Sequence, residues 1–163
     1  MNTEQKFITD ASLAGLAKWL RLLGFDTIVF GHEAGRLMMR QAQNQERILL
    51  TRRRDMLERQ FSGDLFLLPE ASAGRQLSFV IRKYSLKINS KKMYRICLLC
   101  NQRLRPVGRE DVRDLVPPFV FENCDQYNRC DQCGKIYWNG THVRNAMRFL
   151  KENNIKIDDE KGM

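Results

Sequence analysis

Two cysteine pairs, Cys97-Leu98-Leu99-Cys100 and Cys130-Asp131-Gln132-Cys133, limit what this chain can fold into more than any other feature. Each pair is followed by a turn-prone residue, Asn101 or Gly134. Two such knuckles bring four thiolates to one point, and zinc takes a closed tetrahedron of sulfur ligands. Cys97, Cys100, Cys130 and Cys133 are therefore the expected ligands of a structural Zn2+ site, with no coordination position left open for chemistry. Two disulfides are the competing reading. The N-terminal stretch MNTEQKFITD is polar and has no signal-peptide core, and no apolar run approaches the ~18 residues of a membrane span. The expected compartment is the reducing cytoplasm, where paired thiols bind metal. Cys124, the fifth cysteine, is expected to be a free buried thiol rather than a spare ligand.

The cysteines also divide the chain. Its 163 residues suffice for one core of about 90 residues followed by a small metal-stapled module. The expected domains are 1–88, then 89–152 including a terminal helix at 142–151, then a flexible tail over 153–163. Residues 85–95 form the hinge, and 105–119, with Pro106, Pro117 and Pro118, a long connection across the module. Loss of a cysteine ligand is expected to unfold that module with little damage to the first domain. The formal net charge is +9, of which +5 lies in the first 90 residues and +4 in the rest. A positive field spread over the whole chain suits a polyanionic partner, most simply nucleic acid.

In the first domain, short apolar segments alternate with amphipathic ones. Residues 6–9, 27–30, 47–50 and 65–68 read as strands. Leu13, Leu16, Ala17, Leu20 and Leu23 mark one helical stripe, with Ser12 as a candidate N-cap and Gly24 as the stop. Residues 34–44 predict a helix with Leu37, Met38 and Ala42 facing inward. A third helix is expected to reach about Phe61, and a fourth to span 73–84. Four strand–helix repeats predict an α/β fold, a parallel sheet flanked by helices. Function in such sheets gathers at the carboxyl ends of the strands. Asp10 closes the first strand there, Asp26 precedes the second, and Thr51-Arg52-Arg53-Arg54-Asp55 follows the third.

The run Asp10-Ala-Ser-Leu-Ala-Gly-Leu-Ala-Lys-Trp-Leu-Arg-Leu-Leu-Gly24, then Phe25-Asp26-Thr27 and Arg47-Ile-Leu-Leu-Thr-Arg52, resembles the Mut7-C family. The resemblance continues through Gln76-Leu77, Cys97-x-x-Cys-Asn101 and Cys133-Gly-Lys-Ile-Tyr-Trp-x-Gly-Thr-His142, and covers about residues 6–150. It implies a PIN-like ribonuclease domain followed by a zinc ribbon, acting on RNA with Mg2+ or Mn2+ held by acidic side chains. Asp10 and Asp26 match the family's first acidic positions. The family's Thr-Arg-Asp after the third strand reads Thr51-Arg52-Arg53 here, and a guanidinium repels a metal ion. A further acidic position of the family, at the start of the second helix, falls near Ala34-Gly35, where Glu33 is the substitute within reach; Asp55 is the substitute two residues past Arg53. The family's Arg in the first helix is replaced around Gly15 and a Met by Ser12. The implied function is therefore either metal-dependent phosphodiester hydrolysis or a catalytically degenerate RNA-binding or ribonucleoprotein-associated module.

Asp10 reads as a metal ligand or as a strand-ending helix cap, and Asp26 as a ligand or as turn chemistry. Arg52, Arg53 and Arg54 oppose the dipole of a helix starting there, which favours phosphate contact. Tyr137 and Trp138 read either as stacking platforms for unpaired bases or as cover for a thin zinc module. His142 reads as a phosphate contact or a polar cap. His32 is incidental.

Overall fold

In the computed structural model, which describes residues 4–159, the predicted strands form one parallel sheet. Its members are β1 (Phe7–Thr9), β2 (Thr27–Val29), β3 (Ile48–Thr51) and β4 (Leu65–Leu67), in the order β2-β1-β3-β4. Residues one apart in a strand point to opposite faces, and both faces are buried. Phe7 and Leu50 join the core on one face, Ile8 and Leu49 the core on the other. α1 (Ala14–Leu22) and α3 (Ala73–Tyr84) cover the first face, and α2 (Arg36–Asn44) the second.

The caps explain the helix limits. Asp10, not Ser12, takes the N-terminal position: its carboxylate accepts the Ser12 N–H at 2.8 Å ahead of a 3-10 turn, Ala11–Leu13, that leads into α1. Gly24 ends that segment at φ +95°, and a Cβ there would lie 2.4 Å from the Lys92 carbonyl oxygen. Only glycine meets both demands. Ser72 caps α3 through the Arg75 N–H. In α2 the inward set is Met38, Met39 and Ala42. Leu37, expected inside, is 61% exposed, because at about 100° per residue it lies round the helix from Met38 on the side away from Met39 and Ala42. The helix expected to reach Phe61 is a 3-10 segment, Arg54–Glu58, with Met56 buried. Its first residue is a cation and no side chain caps it.

The second module is a three-stranded antiparallel sheet, β5 (Arg105–Val107), β6 (Tyr127–Arg129) and β7 (Ile136–Trp138), with a short helix α4 (Pro118–Asn123). Its core is small: Val112, Val116, Tyr127 and Ile136. Cys124 is half-buried beside it, its thiol 3.5 Å from the Asn139 carbonyl oxygen.

The terminal helix α5 (Thr141–Glu152) departs from its expected place. Its buried residues are Ala146 and Leu150, whereas Met147, expected inside, is 41% exposed. Ala146 and Leu150 belong to the core of the first sheet, and the Phe149 ring stacks on Trp19 of α1 at 3.9 Å and 3°. The chain from 153 onward, expected to be flexible, continues this packing as far as it is described. Ile155 is buried in the same core, the Ser78 hydroxyl donates to the Asn153 carbonyl at 2.9 Å, and the Asp158 N–H donates to the Ile88 carbonyl at 2.6 Å. Residues 160–163 lie outside the described residues. Among the described residues, no helix is long and apolar enough to cross a membrane.

Candidate functional site

The carboxyl ends of the four parallel strands open into a cleft of about 780 Å3. Each strand delivers a polar segment to it: Asp10 and Ser12 after β1, His32 and Glu33 after β2, Arg52 to Arg54 after β3, and Glu70 after β4. Asp10 is 7% exposed, and one of its oxygens is engaged by the Ser12 N–H and hydroxyl. The two expected roles, cap and site residue, therefore meet on one side chain. Glu70 escaped the sequence reading. The rule that picked out the ends of the first and third strands applies to it equally, since Pro69-Glu70 follows the fourth.

Arg53 governs the acidic side of this cleft. Its guanidinium makes a two-pronged contact to Asp55, at 3.0 and 2.9 Å, and donates to the Ala34 carbonyl at 3.0 Å. Glu33 stands 3.6 Å away. The bonded Asp55 carboxylate raises the Arg53 guanidinium further above its ordinary range, and the fields of Glu33 and Asp10 add to this. Arg53 in turn holds Asp55 below the usual carboxylate range. The fork of N–H groups explains the fit, since guanidinium and carboxylate match as planar pairs. Asp55 is thus paired with Arg53 and Arg59 and is not among the residues that line the cleft. Arg52 and Arg54 are exposed on the cleft and form no ion pair among the described residues.

Asp26 does not join Asp10. It precedes β2, and its carbonyl accepts the Phe7 N–H at the amino edge of the sheet, at 2.9 Å. Parallel strands put that edge roughly 13 Å from Asp10, four residues along at about 3.3 Å each. The Asp26 carboxylate instead bonds Arg47 at 2.8 Å and the Asn101 side-chain amide at 2.6 Å. Burial opposes its ionisation, yet these two donors hold it below the usual carboxylate range. Sequence position alone hid this, because an Asp before a parallel strand and an Asp after one lie at opposite ends.

The four cysteine sulfurs of Cys97, Cys100, Cys130 and Cys133 all lie within 4.8 Å of one another. The two knuckles repeat one geometry. The Asn101 N–H donates to the Cys97 carbonyl at 2.9 Å and the Gly134 N–H to the Cys130 carbonyl at 2.8 Å, with φ +61° and +78°. Soft thiolates in a closed set of four fit a metal ion such as Zn2+. Tyr137 serves this centre: its hydroxyl accepts the Leu98 N–H at 3.0 Å and lies 3.2 Å from the Cys97 sulfur. Burial pushes the Cys97 thiol up, but the Tyr137 hydroxyl and the backbone N–H groups of Leu99 and Cys100 bring it down to about 7. Trp138 and His142 meet edge to face at 6.0 Å, away from the sulfurs. Two further residues tie the centre to the first sheet. The buried Arg21 guanidinium donates to the Thr27 carbonyl at 2.8 Å and the Leu98 carbonyl at 2.7 Å, and Asn101 accepts the Thr27 N–H at 2.9 Å.

Among the described residues, the four cysteines are the one group of three or more candidate ligands gathered closely enough to share an ion. Asp10, Glu33 and Glu70 line the cleft without gathering in that way, and Arg53 stands among them. The carboxylates as arranged do not fit a preformed Mg2+ or Mn2+ site.

A family model described as the Mut7-C RNAse domain matches residues 5–150. Searches of curated proteins and of solved structures return no match.

Proposed function

The chain belongs to the Mut7-C RNAse domain family, and on that premise we propose that it grips RNA at the carboxyl edge of its parallel sheet. The observation that carries this is the placement of Arg52 and Arg54, exposed cations without ion-pair partners among the described residues, in the same cleft as the retained Asp10. Arginine binds phosphate through two parallel N–H groups, and every phosphate neutralised releases a counterion from the nucleic acid. Arg53 has a different task. Tied to Asp55 and Ala34, it fixes the loops after β2 and β3 and fills the place where an acidic residue would stand. We read the cleft as a binding surface on a ribonuclease fold, with Zn2+ as the structural ion of the four-cysteine centre and the cytoplasm as the compartment.

Asp10 supports a second reading, metal-dependent hydrolysis of RNA. It is the acidic residue at the end of the central strand β1, and Glu33 and Glu70 share its cleft. One experiment separates the two. Labelled RNA is incubated with Mg2+ or Mn2+ and the wild type, Asp10→Ala or Arg53→Asp, while binding is followed against salt. Salt-sensitive binding without cleavage by the wild type supports the first reading, and cleavage by Arg53→Asp alone strengthens it. Cleavage by the wild type that Asp10→Ala abolishes supports the second.

A further inference from the structure

A second opening, of about 660 Å3, lies where α1, β7 and α5 meet, away from the cleft. Trp19, Trp138, Phe149 and Leu98 are among the residues that line it. Lys135, His142 and Asn145 supply the polar groups, and among the described residues no carboxylate lines it. Its volume lies within the range of ligand pockets, about 300–1,000 Å3. We propose that this groove holds one unpaired nucleobase, so that the RNA class recognised is single-stranded; this rests on the RNA reading given above.

Three observations select a base over other apolar occupants. The walls are aromatic, and the Trp19 ring is fixed by its stack on Phe149 at 3.9 Å. A preset ring surface suits the flat face common to all bases. The charge is complementary: Lys135, its ammonium 5.3 Å over the Tyr137 ring, stands at the rim of an acid-free lining in a chain of net charge +9. The backbone phosphate joined to the base through its ribose meets that cation, whereas an uncharged apolar peptide leaves it unmatched. The third observation is continuity. Leu98 also lines a neighbouring depression with Ala14, Lys18 and Asn101, and the segment leading into α1 contributes Ser12 to the cleft. From Ser12 to Trp19 the helical rise is about 10 Å, a short length of nucleic-acid backbone, and the exposed Lys18 lies along it. Duplex RNA keeps its bases stacked inside and offers none to the groove.

Trp19 and Trp138 are the chain's two tryptophans and both wall the groove, so intrinsic fluorescence reports its occupancy. The zinc-loaded full chain is titrated with a labelled eight-nucleotide single strand, the same strand made abasic, and the blunt duplex. Anisotropy of the label reads total binding, and tryptophan emission reads the groove. The intact strand is expected to bind and quench the emission. The abasic strand is expected to bind about tenfold more weakly without quenching, and Trp138→Ala to bring the intact strand to that same level. Retained zinc shows that the variant is folded, and the abasic strand tests the wild type without any substitution. Equal affinities for the intact and abasic strands, with unchanged emission, overturn the groove while leaving RNA binding in place. Absence of any anisotropy change removes the RNA reading itself.

Discussion

Asn101 and Asp26 are 75 residues apart in sequence, and the side-chain amide of the first donates to the carboxylate of the second at 2.6 Å. Asn101 is the turn residue of the first zinc knuckle, and Asp26 opens strand β2. The same Asn101 side chain accepts the Thr27 N–H, so one residue is hydrogen-bonded to the sheet on both its oxygen and its nitrogen. The metal module is seated on the edge of the first sheet, and not tethered beside it.

Asp26→Asn is expected to lower stability near neutral pH. Burial acts against the charged form, but Arg47 and Asn101 outweigh it and depress the folded-state pKa below the ordinary 3.8. The stability this contributes is present above pH ~4, in the range where the unfolded carboxyl is ionised, and is lost as pH falls through the folded value. The side chain is 42% exposed, which screens the effect to a Tm shift of about 2–4 °C. Thermal melts of both proteins at pH 7 and at falling acid pH test this, and a difference that does not shrink as pH falls counts against the ion pair as its source.

Chelation of the metal, or Cys97→Ser, is expected to disturb both modules. The knuckle carbonyl of Leu98 binds the buried Arg21, and freeing the knuckle leaves that guanidinium without one of its two acceptors. An unpaired buried group costs about 1–3 kcal/mol. Hydrogen exchange at Thr27 and Ile28 is expected to accelerate when metal is removed. Protection that stays unchanged there would restore the expectation of an independent first domain.

Arg53→Ala is expected to loosen the loops after β2 and β3 without unfolding the sheet. It removes the bridge from the exposed Asp55 to the carbonyl of the buried Ala34, and the stability loss is expected to be small because the Arg53 side chain is itself partly exposed. RNA affinity falls less than in Arg52→Ala, because Arg53 is already engaged. Filter binding of the two variants at one salt concentration ranks them, and the reverse order would place Arg53 on the phosphates.

Phe149→Ala is expected to cost about 2 kcal/mol, less than a fully buried Phe because the ring is half-exposed. It removes the stack on Trp19, joining α5 to α1. Urea unfolding followed at the sheet core measures it. A loss seen only in the metal module would mean that α5 belongs there.

The sheet was legible because its cues are local. Runs such as Arg47-Ile-Leu-Leu50 need only a turn on each side, and α3 matches the predicted 73–84 because Ser72 caps it and Leu77 and Val80 share a face. The four cysteines were legible because ligand spacing is itself local. Asp26 misled because its role depends on which end of a strand meets the cleft, a property of the assembled sheet. Leu37 and Met147 misled because a small shift in helix phase changes which side chains meet the core. Arg21 and Asn101 left little trace. A buried arginine inside a leucine-rich stripe looks like a surface residue until its acceptors, Thr27 and Leu98, are brought to it by the fold.

Because α5 and Ile155 complete the first core, the metal module is an excursion that leaves that core after α3 and returns to it. A module appended at one end is lost when a single linker is cut. Here a protease nick in the connection near Gly108 leaves both pieces held, one by the sheet and the other by α5, with the sulfur cluster spanning the break. In chain order α5 follows both the sheet and the metal module, so during synthesis the sheet waits for that helix before its core is complete.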